Sequence, residues 1–191
     1  MDREELGAWL RLLESPGVGR ESARRLLTAF GSPEAIFAAP QTALRQLVSA
    51  QQADALRAPP AHWERLLQST WLWLQTADEA PHQLLTLGDA DYPQVLLQTP
   101  DPPLLLYLKG RRELLGKTAL AVVGSRNPTP QGRDNAVTFA RQLSEAGLCV
   151  VSGMASGIDG AAHQGALDGS GKTIAVVGTG LDTVYPKSHA R

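Results

Sequence analysis

Three short segments carry the residue types that hold an anion: Gly124-Ser125-Arg126-Asn127-Pro128-Thr129-Pro130, Ser152-Gly153-Met154-Ala155-Ser156-Gly157-Ile158-Asp159, and Gly178-Thr179-Gly180-Leu181-Asp182. Each follows an apolar run and opens at or near a glycine, whose missing Cβ lets backbone N–H groups approach a ligand, and small hydroxyl residues add donors. Phosphate is the chemically matched guest. Arg126 adds a planar guanidinium that forks onto two oxygens of one phosphate. Thr129 stands at the N-cap position of the next helix with Pro130 at its first residue, so a helix N-terminus is expected to point at the same anion. The candidate phosphate-binding residues are therefore Gly124, Ser125, Arg126, Thr129, Ser152, Gly153, Gly157, Gly178 and Gly180, with Lys187 as a weaker candidate cation.

Other chemistries find little support. No Walker sequence is present, no G-x-G-x-x-G follows the first of these apolar runs, and no G-x-S-x-G elbow occurs, so nucleotide hydrolysis, dinucleotide binding and serine hydrolysis lack their usual hardware. Ser156-Gly157-Ile158-Asp159 matches a capping box, which reads Asp159 as a helix-start residue rather than a catalytic acid. His163 lies within helical reach of Asp159 and reads as a structural histidine. One cysteine, Cys149, and four scattered histidines make neither a disulfide framework nor a zinc site, and no cofactor is expected.

These loops must be positioned by the apolar runs before them. Ala119 to Val123, Leu148 to Val151 and Thr173 to Val177 are short, nearly all apolar, and separated by helical stretches, the pattern of parallel strands buried on both faces. Gln131 to Ala146 presents Ala136, Val137, Ala140 and Leu143 on one face, and Gly157 to Leu167 presents Ala161, Ala162 and Ala166. A β-α-β-α-β unit results, and in such a sheet the ligand sits outside the carboxyl ends of the strands, which places all three loops on one rim. Two further strand-like runs, Leu84 to Leu87 and Leu104 to Leu108, precede this unit and flank the stiff connector Thr99-Pro100-Asp101-Pro102-Pro103.

From Asp2 to about Glu79 apolar residues instead recur at helical spacing, as in Leu6, Trp9, Leu10 and Leu13. The composition shifts near Pro81, giving a small helical domain over 1–81 and a Rossmann-like α/β domain over 82–191. Pro16-Gly17-Val18-Gly19, between two amphipathic stretches, has the form of a helix-hairpin-helix turn. It reads either as a DNA-phosphate site helped by Arg20, Arg24 and Arg25 or as a plain tight turn. Trp63, Trp71 and Trp73 read as a base-stacking platform or as a hydrophobic helix packed between domains.

The chain has 191 residues, and 18 Lys+Arg against 19 Asp+Glu give a net charge of -1. Any contact with a polyanion is therefore local rather than drawn by a global field. A content of 43% hydrophobic and 19% charged residues is that of an ordinary globule. The first residues lack a signal-peptide pattern, and no apolar run approaches the ~18 residues that span a bilayer. A cytoplasmic protein with no membrane contact is expected.

Several ordered motifs together resemble the DNA-processing protein family DprA, also called Smf. They are Asp91-Tyr92-Pro93, Asp101-Pro102-Pro103 with Leu106-Tyr107-Leu108-Lys109-Gly110, Val122-Val123-Gly124-Ser125-Arg126, Val151 through His163, and Gly178-Thr179-Gly180-Leu181-Asp182-Thr183-Val184-Tyr185-Pro186. The helical region is similar to the sterile-alpha-motif-like domain of that family, so the likeness covers nearly all the chain. It implies a non-enzymatic protein that binds single-stranded DNA, protects incoming DNA and helps load the RecA recombinase in natural transformation. It also implies a homodimer at full length and a single-strand phosphate pocket that includes Gly124, Ser125 and Arg126.

Gln131 and Ser156 depart from the residues common in the family. The family's Rossmann domain also continues beyond the third core strand, so a fragment or a natural truncation with an incomplete sheet is expected. The competing reading is a phosphoribohydrolase-like Rossmann enzyme that holds a nucleoside monophosphate in the same loops, although the P-G-G-x-G-T loop of that group does not occur in this sequence.

Overall fold

The structure, a computed structural model, describes residues 1–183 and 186. It is α/β and divides into two compact units, Met1–Gly110 and Arg111–Arg191. The first holds helices α1 (Arg3–Glu14), α2 (Arg20–Phe30), α3 (Pro33–Ala38), α4 (Gln41–Leu44), α5 (Ala50–Ala55) and α6 (Trp63–Leu74). After them come strand β1 (His82–Thr86), the short helix α7 (Gln94–Leu97) and strand β2 (Leu105–Lys109).

Local chemistry sets the helix starts. The Asp2 carboxylate accepts the amides of Glu4 and Glu5, both at 2.9 Å, at the head of α1. Ser32 caps α3 just before Pro33, and Ser49 with Gln52 forms a capping box on α5. One core packs Trp9 and Leu12 of α1 against Leu26 of α2, Ile36 of α3, Leu44, Leu56 and Leu104. A second joins Leu6, Leu10, Leu67 of α6 and Leu84 of β1.

Composition shifts at Pro81, whereas compactness divides the chain at Gly110. The reason is packing: β1 and β2 pair antiparallel, His82 opposite Lys109 and Thr86 opposite Leu105. Their apolar residues Leu84 and Leu105 then close over the helical core. The tryptophans of α6 serve that core inside the first unit. Trp63, Trp71 and Trp73 pack against it, the Trp63 indole donates to the Gly7 carbonyl at 2.8 Å, and Trp73 stacks on His82 with ring centroids 4.4 Å apart.

The connector is tied to α2 through Asp101, which pairs with Arg20 at 2.5 Å and Arg24 at 2.6 Å. The hydrogen bond from Arg24, reinforced by the charges of Arg20 and Arg24, holds the Asp101 carboxyl below its ordinary value of 3.8. A group whose folded pKa is depressed adds stability that is in place above its unfolded pKa and is lost as pH falls through the folded one. Asp101→Asn is therefore expected to lower the melting temperature of the first unit by the same small amount from about pH 8 to about pH 5, with the gap to wild type closing below about pH 4. Thermal melts across pH check this; a gap that persists undiminished in strong acid would assign the effect to something other than the ion pairs.

In the second unit a 3-10 helix (Arg112–Gly116) leads into β3 (Ala119–Ala121), α8 (Pro130–Glu145), β4 (Cys149–Ser152), α9 (Ile158–Leu167) and β5 (Thr173–Ala175). The strands are parallel in the order β3-β4-β5, with Ala119 beside Cys149 and Val150 beside Thr173. Ala140 of α8 and Ala162 and Ala166 of α9 pack with Val150, so both crossover helices cover one face. On the opposite face, among the described residues, Val123 is 69% and Val176 63% exposed. A parallel sheet is ordinarily buried on both sides, whereas here, among the described residues, these two valines lie open. Cys149 is fully buried in β4, and burial pushes its thiol pKa up, as befits a core residue.

Candidate nucleic-acid interface

The segments after β3, β4 and β5 meet at the carboxyl ends of the strands. Ser125, in the first, accepts the Asn127 amide on its hydroxyl at 3.1 Å, and its carbonyl accepts the Ile158 amide at 3.1 Å. The first two loops are thereby stitched together. Gly124 lies beneath the Ile158 side chain, where a Cβ would come within 3.0 Å of it. Gly157 sits at φ +86°, and a Cβ there would run into the Ser125 carbonyl oxygen and the Arg126 backbone. These two glycines serve the contact between loops as much as any approach by a ligand.

The second loop spends its donors internally. The Ser152 hydroxyl donates to the Val122 carbonyl at 2.7 Å, fastening β4 to the end of β3. Asp159, 7% exposed, accepts the amides of Gly153 at 3.2 Å and Ala155 at 3.3 Å on one oxygen. It thus brackets Met154, a non-glycine residue at φ +60°. Ser152 and Gly153, expected as anion donors, are committed to partners within the fold. An internal carboxylate already fills the nest where an external anion was expected.

The capping box at Ser156 does not form. Gly157 is the N-cap of α9 and no side chain caps it, because the glycine turn shifts the helix start by one residue and Asp159 reaches back across the loop. His163 meets Thr173 of β5 through its Nδ1. Thr173 Oγ1 gives its proton to the Val150 carbonyl at 2.7 Å, so at 2.7 Å from His163 Nδ1 it accepts, and that nitrogen carries the hydrogen.

Thr129 is the N-cap of α8, as its position in the sequence requires, accepting the Gly132 amide at 3.1 Å, with Pro130 first in the helix. Gly178 stands clear, with nothing within 4 Å of where its Cβ would be, whereas at Gly180 a Cβ would meet the Asp182 carboxylate. Lys187 lies outside the described residues. Arg126 is exposed and makes no hydrogen bond or ion pair among the described residues. The rim therefore presents the uncommitted guanidinium of Arg126 at the first strand exit and an open glycine at the third, over a floor braced by internal bonds.

At the α1–α2 hairpin the cations are engaged. Arg20 and Arg24 pair with Asp101, and Arg25 pairs with Glu21 at 3.2 Å. Gly17 makes the turn at φ +74°. A DNA strand there would have to displace carboxylates from the arginines first, whereas Arg126 has no carboxylate partner among the described residues. The bracing role of Asp159 escaped sequence reasoning; the signal was a lone acid four and six residues after the amides it accepts, in a loop that must turn back on itself.

Residues 83–191, more than half of the chain, match the family described as DNA recombination-mediator protein A, and residues 3–62 match a DprA-like N-terminal HHH domain. Both matches leave the compositional break at Pro81 between them. The chain is 34% identical over 190 residues to Protein Smf of Synechocystis sp., covering 97% of this chain and 47% of that protein. It is 48% identical over 103 residues to DNA processing protein DprA of Streptococcus pneumoniae, covering 54% and 36%. It spans less than half the length of these curated relatives.

Among solved structures, the DprA of S. pneumoniae superposes with a TM-score of 0.74 at 29% identity, over 96% of this chain and 61% of that one. DNA processing protein A of Helicobacter pylori, described for its single-stranded DNA binding mode, superposes with a TM-score of 0.51 at 35% identity, over 57% and 49%. With the helical HHH-type region, the parallel sheet and the matched segments all in agreement, this chain belongs to the DNA recombination-mediator protein A family, that of DprA and Smf.

Proposed function

We propose that the protein binds single-stranded DNA along the rim of the β3-β4-β5 sheet and acts in DNA recombination and natural transformation as a binding protein, not an enzyme. Protection of incoming DNA, loading of RecA and a homodimer at full length complete the reading, and these three rest on family membership. The observation that carries it is Arg126, exposed and unpaired among the described residues where three strand exits converge. An unpaired guanidinium on a chain of net charge -1 gives the local positive point that a phosphate backbone needs. Asp159 and His163 are occupied in holding the loops and β5. That favours binding over acid–base chemistry.

The test is anisotropy of labelled oligo-dT and of a duplex of equal length at several salt concentrations. The single strand is expected to bind more tightly, with log affinity falling against log salt by about 0.7 per phosphate neutralised. Arg126→Ala is expected to weaken binding about tenfold and flatten that slope by about 0.7. Equal, salt-insensitive binding by wild type and variant would overturn the proposal.

A further inference from the structure

The same rim holds a second cation that neither the motifs nor the family match assigns. Arg133 is the fourth residue of α8 and precedes by three and seven residues Ala136 and Ala140, which α8 buries. It is therefore the rim-end member of the helix's inward stripe. Arg133 is nevertheless exposed, and it has no carboxylate partner among the described residues. The first turn of α8 contains no acidic residue to balance it. A cation in the first turn opposes the helix dipole, so the helix end gives Arg133 no support in the free protein, and Asp134, the next residue, makes no ion pair with it among the described residues.

Backbone amides do not supply what the site needs there. Pro130 has no N–H, the Gly132 amide is taken by the Thr129 hydroxyl, and the Arg133 amide by the Thr129 carbonyl at 3.0 Å. That leaves only the Gln131 amide without a hydrogen bond among the described residues, so attraction for an anion at this end of α8 rests chiefly on side chains. Arg133 follows directly on the turn, braced by Thr129, that also carries Arg126.

We propose that Arg133 is a second phosphate contact of the rim, holding a phosphate neighbouring the one that Arg126 holds on the same strand. The inference rests on the single-stranded DNA reading above, and the experiment separates the two. Oligo-dT titrations at several salt concentrations are run on the full chain with Arg133→Ala, Arg133→Lys and Arg126→Ala, together with thermal melts. Arg133→Ala is expected to lose about five- to tenfold in affinity and about 0.7 in salt slope, while its melting temperature stays level or rises because a misplaced helix charge is gone. Arg133→Lys is expected to restore the slope.

Wild-type affinity and slope in Arg133→Ala, with Arg126→Ala impaired, overturns this inference and leaves the DNA reading standing. A lowered melting temperature with no rescue by lysine likewise overturns it, by making the residue structural. Unimpaired binding in both alanine variants removes the reading and the inference together.

Discussion

Gly157→Ala is expected to destabilise the second unit by about 2–5 kcal/mol and to abolish salt-dependent binding of oligo-dT. Two costs add. At φ +86° and ψ -123° a side chain is strained, for about 1–2 kcal/mol. The new Cβ also meets the Ser125 carbonyl oxygen and the Arg126 carbonyl carbon. Both are backbone atoms, with no flexible end to swing aside, so the overpacking adds about 1–3 kcal/mol. Relief requires the first loop to move away from the second, which breaks the 3.1 Å bond from the Ile158 amide to the Ser125 carbonyl and turns Arg126 away from the strand exits. Chemical denaturation reads the first effect and anisotropy the second. A Gly157→Ala protein with wild-type stability and wild-type affinity would show that the two loops are not locked as described.

Leu26→Ala is expected to cost the first unit about 2–5 kcal/mol. Leu26 is fully buried where α2 meets Leu12, Ile36 and Leu104, so truncation loses its transfer free energy and leaves a cavity that five short helices and a strand connector cannot collapse into. The measurable consequence is an earlier loss of far-UV helical signal on heating, since α1 to α6 lie in this unit. Leu72→Ala, on the same bundle but 58% exposed, is the control and is expected to change stability by less than about 0.5 kcal/mol. Equal shifts for the two variants would deny that the burial of Leu26 matters.

Much of the fold was legible because the signals are local. The runs at Ala119, Leu148 and Thr173 become β3, β4 and β5 because consecutive apolar residues suit a strand covered by crossover helices. Thr129-Pro130 starts α8 because a hydroxyl N-cap followed by proline leaves few amides unsatisfied. The helical stripe at Leu6, Trp9 and Leu10 reports directly which side of α1 is buried. The place where composition and compactness part, Pro81 against Gly110, was not legible. The pairing of β1 with β2 and their docking on Leu6 and Leu67 are decided by residues far apart in sequence.

The candidate site divides along the same line. By itself the sequence determined that three glycine-bearing loops share one rim, that a guanidinium belongs to the first of them, and which family the motifs resemble, since each follows from neighbours within a few residues. Only the tertiary structure decided which polar groups remain available to a ligand. Ser152 is spent on Val122, 30 residues away, the Gly153 and Ala155 amides are spent on Asp159, and Gly124 and Gly157 are filled by the facing loop, while Arg126 is left over. A hydrogen-bond donor advertises its presence in the sequence but not its occupation, because occupation depends on which distant chain segment the fold brings within about 3 Å of it.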